Sequence, residues 1–77
     1  MMSPLTDHAR TRMQQRGIPP AAIEALLDYG NAHHLHSKGR VLVFFDKKAR
    51  ALNVADKVRR TYAILGSDGT VITVGHR

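Results

Sequence analysis

Two short apolar runs, TYAILG (61–66) and TVITVG (70–75), stand on either side of Ser67-Asp68-Gly69. Both runs are rich in β-branched and aromatic residues, which favour strands. The three residues between them are typical of a tight turn. This stretch therefore predicts a β-hairpin near the C-terminal end of the chain.

A second hairpin is predicted upstream. RVLVFF (40–45) has the composition of a buried strand, AHHLHS (32–37) precedes it, and Ser37-Lys38-Gly39 supplies a turn between them. Together the two hairpins predict four strands.

The segment DKKARALNVADKV (46–58), which links the hairpins, has two interpretations. Asp46 is suited to cap a short helix that packs through Ala49 and Leu52. Leu52 and Val54 also alternate as they would in a strand. We favour a helical turn.

The first thirty residues predict two helices. Thr6 is suited to cap the first helix and Gly17 to end it in a left-handed conformation. Pro20 is tolerated in the first turn of the second helix, which Gly30 ends. Its apolar stripe comprises Ala22, Ile23, Leu26 and Leu27. The expected fold is α+β, with two N-terminal helices packed on a four-stranded, mostly antiparallel sheet.

Composition limits the class of protein. The chain has 77 residues and no cysteine, so it forms one small domain, 1–77, without disulfides or thiolate metal sites. The N-terminus lacks the apolar run of a signal peptide, and no run approaches a membrane span. We therefore expect a cytoplasmic protein that is not in a membrane. The net charge is +6, and residues 38–77 carry the whole excess, which indicates nucleic acid or an acidic protein as a partner.

The first predicted helix carries a basic stripe beside an apolar one. At about 100° per residue, the apolar stripe is Leu5, Ala9 and Met13, and the basic stripe is His8, Arg12 and Arg16. Arg10 falls on the opposite, solvated side. Because charges that border apolar surface need a partner, Arg12 and Arg16 are candidates to hold a phosphate. The alternative is a structural ion pair with Glu24 or Asp28.

The C-terminus, TVITVGHR (70–77), supplies a second group of candidates. Strand alternation puts Val71, Thr73 and Gly75 on one face, and Ile72, Val74 and His76 on the other. If Ile72 and Val74 face the helices, His76 leaves the sheet on that side and would approach His8. Two histidines at one phosphate can act as general base and general acid in metal-free RNA cleavage. The alternative is a frayed His76-Arg77 end without a role.

The tract HHLH (33–36) raises the question of a metal. On a strand, His34 and His36 share one face and His33 takes the other. No cysteine or well-placed carboxylate completes a ligand set. The sequence therefore predicts no metal site and no cofactor.

A basic cluster precedes the third predicted strand. Lys57, Arg59 and Arg60 are followed by Tyr62. Charges of this kind hold phosphates while an aromatic ring stacks on a base, a combination suited to RNA. The alternative is that Tyr62 is part of the core.

Three motifs carry a family resemblance: HARTRMQQRGI (8–18), VFFDKKAR (43–50) and SDGTVITVGHR (67–77). The chain resembles a small bacterial family of unknown function whose members are similar to the compact toxins of the barnase, colicin and RelE ribonuclease-like superfamily, including BrnT-type toxins. The resemblance covers almost the whole chain. It implies a curved sheet that faces RNA, metal-independent RNA cleavage, and an antitoxin partner. The matching positions are His8, Arg12, Arg16, Thr73, His76 and Arg77.

The leading hypothesis is a toxin-like, RNA-binding protein that acts as a metal-independent endoribonuclease. His8 and His76 are its acid/base candidates, and Arg12 and Arg16 would hold phosphate. One alternative is a non-catalytic nucleic-acid-binding module, whose affinity would fall steeply with salt. Another is a protein whose basic face meets an acidic, antitoxin-like protein. The sequence leaves the oligomeric state open.

Overall fold

A computed structural model describes residues 5–35, 39–46 and 56–76 of the chain. In chain order its elements are α1 (Asp7–Arg16), α2 (Pro20–Tyr29), β1 (Asn31–His34), β2 (Val41–Phe44), α3 (Asp56–Arg59), β3 (Thr61–Leu65) and β4 (Val71–His76). The four strands form one sheet in the order β1-β2-β3-β4, and all three pairings are antiparallel. The predicted α+β fold is confirmed.

Helix α1 begins and ends as its sequence predicts. The side chain of Thr6 accepts a hydrogen bond from the Ala9 N–H at 3.0 Å, which satisfies one of the free donors of the first turn. Gly17 ends the helix at φ 64°, a left-handed conformation that glycine adopts without steric cost. The N–H of Ile18 then bonds back to the Met13 carbonyl at 2.8 Å.

The start of α1 is also fastened to β4. Leu5 forms a parallel bridge with Val71, and the Thr6 N–H donates to the Val71 carbonyl at 3.1 Å. The Thr6 hydroxyl donates to the Ile72 carbonyl at 2.8 Å. One threonine therefore caps the helix and ties the helix to the outer edge of the sheet.

Helix α2 has proline in its first turn and gives way to β1 at Gly30. Its buried residues are Ala22, Ile23 and Leu26, while the fourth predicted stripe residue, Leu27, is half-buried. Helix α1 packs on β4, and α2 packs on β2 and β3. The two helices thus lie over different strands.

The core lies between the helices and one face of the sheet. Val43, Ala63 and Val74 are partners across β2, β3 and β4, and all are buried. They pack with buried residues of the two helices and of the connection between them, namely Ala9, Met13, Ile18, Ala22, Ile23 and Leu26. We call this side of the sheet the covered face.

A bulge in β4 corrects one prediction about which residues face the helices. Alternation placed Ile72 with Val74 and put Val71 on the other face. The register shifts by one between Ile64 and Leu65, which pair with Thr73 and Val71 respectively, so Ile72 is an extra residue. As a result Val71 is fully buried in the core alongside Val74.

The remaining boundaries differ slightly from expectation. The first strand covers Asn31–His34 rather than 32–37. In the linking segment, α3 follows at Asp56–Arg59. Asp46 is the last described residue before the gap, and the helix through Ala49 and Leu52 that it was predicted to cap lies outside the described residues, as does His36.

Candidate nucleic-acid interface

The second face of the sheet, which we call the open face, carries the residues that alternate with the core. One row runs Phe44, Tyr62 and Gly75 across β2, β3 and β4, and the next runs Leu42, Ile64 and Thr73. On β1, Asn31 and His33 continue these two rows. The helix residues of the core all lie on the covered face. No described helix therefore packs on the open face.

An aromatic pair dominates the open face. Phe44 and Tyr62 are direct cross-strand partners, and both are half-buried. The hydroxyl oxygen of Tyr62 lies 2.8 Å from where a Cβ on Gly75 would stand, and its Cζ lies 2.9 Å from that point. The ring therefore rests directly on the backbone of Gly75, where any side chain would displace it.

Basic residues gather at the end of the sheet next to this pair. Arg59 and Arg60 immediately precede Thr61, whose partner on β4 is His76. Arg60 is exposed, whereas Arg59 and His76 are half-buried. The row adjacent to Thr61 and His76 is the one that holds Tyr62. The structure thus brings two arginines, a histidine and an aromatic pair to one end of the sheet.

The basic stripe of α1 is formed as predicted but is unevenly exposed. His8 and Arg16 are exposed, whereas Arg12 is half-buried and its Nε is fully buried without a hydrogen-bond partner. No ion pair joins Arg12 or Arg16 to Glu24 or Asp28 within the described part of the chain. The interhelical ion pair that was the alternative is not formed, so Arg12 has an unfilled donor.

The two candidate histidines lie near opposite ends of β4, His8 on α1 and His76 on the strand itself. His8 lies one helical turn or less from Thr6, which is bonded to the Ile72 carbonyl. His76 lies four residues beyond Ile72 on β4, and four residues of an ideal strand span about 13 Å. The side chain of His8 makes no hydrogen bond or ion pair with any described residue. Their convergence on one phosphate stays a prediction.

Other candidates are divided between the two faces of the sheet. Thr73 pairs with Ile64 on the open face, while His76 pairs with the buried Thr61 on the covered face. The side chain of Lys57, together with Arg77, lies outside the described residues. His33 and His34 are both exposed on β1 and alternate in direction.

A shallow groove of about 540 Å³ runs beside α1, but its described lining has no residue suited to act as a general acid or base. Its described lining consists of Leu5, Arg10, Met13, Gln14, Gly17, Ile18, Pro19 and Pro20. Arg10 is the ionisable residue in that set, and arginine stays protonated in proteins. None of the predicted catalytic residues lines it.

Sequence reasoning missed two residues of the open face. The sequence predicts Phe44 in a buried strand, because VLVFF (41–45) is apolar throughout and shows no alternation. The register of β2 on β3 places Phe44 opposite Tyr62 and leaves Phe45, not Phe44, in the core. The contact of Gly75 with Tyr62 depends on a second register, that of β4 on β3. The signal in the sequence was a lone glycine inside a strand pattern, which marks close approach.

Asp68 titrates away from its ordinary range, in the turn between β3 and β4. Its Oδ1 accepts the Thr70 N–H at 3.0 Å, and that hydrogen bond lowers the pKa of the exposed carboxyl. This turn lies at the end of the sheet away from His76, so the shift has no part in the basic cluster.

These features define a small α+β domain, with two helices over one face of an antiparallel sheet and an aromatic, partly basic surface on the other. The chain belongs to the family described as a domain of unknown function, DUF4258, which matches residues 5–76. Neither a curated protein nor a solved structure matches the chain. Among the described helices, none is long and apolar enough to cross a membrane. The likeness to RelE- and BrnT-type toxins stays a prediction.

Proposed function

We propose that this protein binds RNA, with the open face of its sheet as the binding surface. The observation that carries the proposal is the position of Phe44 and Tyr62, which are paired on that face next to the end of the sheet where Arg59, Arg60 and His76 lie. Aromatic rings on an accessible sheet stack on unpaired bases, and adjacent arginines hold the phosphates between them. The chain's charge of +6 strengthens the attraction.

Single-stranded RNA suits this surface better than a duplex. Duplex recognition uses shape and backbone contacts, whereas the bases of a single strand are free to stack on rings. The half-buried Phe44 and Tyr62 offer edges and faces within one strand spacing, about 4.8 Å. An RNA strand that lies across β2 and β3 would place its phosphates toward Arg60.

The test is the affinity of the purified protein for a fluorescent single-stranded RNA, measured over a range of salt concentrations. Arg60→Ala should weaken binding several-fold and reduce the salt slope by about 1. Arg10→Ala is the matched control, because it removes the same charge from an exposed residue of α1 that does not lie on the open face. Equal losses for the two variants would contradict a specific surface.

The contribution of stacking is tested separately at Tyr62. Tyr62→Ala should cost about tenfold or more in affinity, since one base–aromatic stack contributes about 1–3 kcal/mol. Tyr62→Phe keeps the ring and should bind within about twofold of the original protein. Circular dichroism establishes that each variant is folded. An unchanged affinity for the folded Tyr62→Ala variant would overturn the proposed surface.

We further propose cleavage of the bound RNA without a metal, as the resemblance to ribonuclease-like toxins implies. His76 is the candidate nearest the basic cluster, on the covered face at the same end of the sheet, and His8 and Arg12 are the candidates on α1. An RNA bound on the open face would have to pass this end of the sheet to reach them. Incubation with RNA in chelator, with the His76→Gln variant as control, tests this step. Intact RNA under conditions where binding is measured would remove catalysis and leave a non-catalytic binding module.

A toxin would also need a partner that silences it. We propose an acidic, antitoxin-like protein that competes with RNA for the same surface. The support is the charge pattern, in which residues 38–77 hold the whole positive excess. Growth arrest on expression, relieved by a co-encoded acidic protein, is the expected result. Growth arrest that persists in His76→Gln would argue against an enzymatic toxin.

A further inference from the structure

The two edges of the sheet are finished differently. The outer edge of β4 is bridged by Leu5, accepts hydrogen bonds from Thr6, and contains a bulge at Ile72. Bridges and bulges of this kind prevent an edge from pairing with another chain. Among the described residues, none bridges the outer edge of β1, and β1 itself contains no bulge. Its pairing with β2 is regular, and no described strand lies on its other side.

The outward hydrogen-bonding groups of β1 can be identified from its register. The Leu35 N–H bonds to the Arg40 carbonyl at 2.9 Å, in the same register as the four β1–β2 pairs. Because antiparallel pairs alternate between bonded and non-bonded, His33 and Asn31 bond inward to β2. Ala32 and His34 therefore direct their N–H and C=O groups outward.

We propose that this edge pairs with the same edge of a second copy of the chain, which gives a two-fold symmetric dimer with one continuous eight-stranded sheet. Antiparallel pairing places Ala32 opposite the partner's His34, and the two-fold axis repeats this pair. Each of the two pairs forms two backbone hydrogen bonds, so four hydrogen bonds form in total. His33 then faces the partner's His33 at the axis. This inference does not depend on the proposed function.

The chemistry of the edge also favours self-pairing. Strands that resist pairing carry lysine, other charges or proline, and residues 31–35 contain none of these in a chain of net charge +6. Exposed Asp28 and exposed Arg40 flank this neutral strip at opposite ends. Two-fold pairing therefore brings the acid of one copy to the base of the other.

An exposed aromatic residue stands beside the edge. Tyr29 is 62% exposed and lies two residues before Asn31. In the proposed register Asn31 stands opposite the partner's Leu35, so Tyr29 lies within two residues of the paired edge. Tyrosine is enriched in protein–protein interfaces because it buries a large ring and keeps its hydroxyl wet.

The first experiment measures molecular mass by sedimentation at pH 8, where an ordinary histidine is neutral, up to about 1 mM protein because a small interface binds weakly. The mass should rise with concentration from 8.5 kDa toward twice that value. Ala32→Pro removes an outward N–H that β2 does not use, so it should stay monomeric. Ala32→Val keeps the N–H and should dimerise as the original protein does. Tyr29→Ala should weaken association several-fold.

The second experiment tests the register and does not depend on the proline variant's folding. The chain has no cysteine, so His33→Cys provides one thiol, which faces the partner's thiol at the axis. Such a non-bonded pair, with Cα atoms about 4.5 Å apart, lies within disulfide reach. Oxidised glutathione should link His33→Cys into a dimer, and Asn31→Cys, on the same face, should stay largely unlinked.

Two results would overturn the proposal. One is a wild-type protein that remains monomeric at the highest concentration. The other is equal disulfide formation by His33→Cys and Asn31→Cys, because that would show random collision rather than pairing at the axis.

Discussion

The two faces of the sheet are made from the same strands but carry different residues. On the covered face Ala63 and Val74 are fully buried against the helices. On the open face Leu42, Tyr62 and Ile64 stay half-buried, although they are as apolar. Burial against a packed layer stabilises the fold, and an apolar surface on which no described helix packs is available for binding. The difference teaches that in this chain stability and recognition use alternate residues of the same strands.

A matched pair of leucines gives the largest test of this difference. Leu26 of α2 is fully buried in the core, whereas Leu42 of β2 is half-buried on the open face. Leu26→Ala should lower the free energy of unfolding by about 2–5 kcal/mol, through lost burial and a cavity. That is a large part of the stability of a domain this small. Leu42→Ala should cost less than half as much in urea denaturation. Similar losses would mean that both faces are packed alike.

Thr6 tests how the helix layer is attached to the sheet. Its side chain caps α1 at Ala9 and also donates to the Ile72 carbonyl. Thr6→Ala should cost about 1–2 kcal/mol in the free energy of unfolding, because both bonds are lost. Thr11→Ala, at an exposed mid-helix position, is the control and should be neutral or slightly stabilising. Thermal denaturation of both variants decides; equal effects would show that Thr6 acts through helix propensity alone.

The contact of Tyr62 with Gly75 defines the shape of the open face. A methyl group in Gly75→Ala would meet the tyrosine ring, but the half-buried ring can shift, so we expect a loss of about 1 kcal/mol in stability. In a Tyr62→Ala background the same change should cost little, and the double-mutant cycle isolates the contact. A full penalty in that background would place the strain in the backbone of β4 instead.

These residues also show what sequence can predict. Local signals predicted both helix boundaries, since capping by Thr6, termination at Gly17 and proline at Pro20 depend only on neighbours in the chain. The bulge at Ile72 could not be predicted, because it depends on how β4 pairs with a distant strand and how Leu5 bridges Val71. Because of that single extra residue, Val71 and not Ile72 lies in the core.

The candidate site was predictable in composition but not in arrangement. The basic residues and Tyr62 were identified from sequence, because charge and aromatic content need no fold. Which face and which end of the sheet each residue occupies could not be predicted, because that depends on the pairing of Thr61 with His76. Phe44 was hidden in an apolar run that lacks a period.

The smallest expected effect lies at Asp68, in the turn that both faces share. Its hydrogen bond from Thr70 lowers the pKa of the carboxyl, so the folded state favours the charged form. The unfolded chain titrates at about 3.9. The contribution to stability is therefore present above about pH 5 and is lost as the pH falls through the lowered folded value. Asp68→Asn keeps an oxygen acceptor without the charge, so stability measured by urea denaturation from pH 7 to pH 3 should fall slightly less for the variant. An NMR titration of the Asp68 carboxyl should give a midpoint below the ordinary one, and a midpoint above it would refute the assignment of the bond.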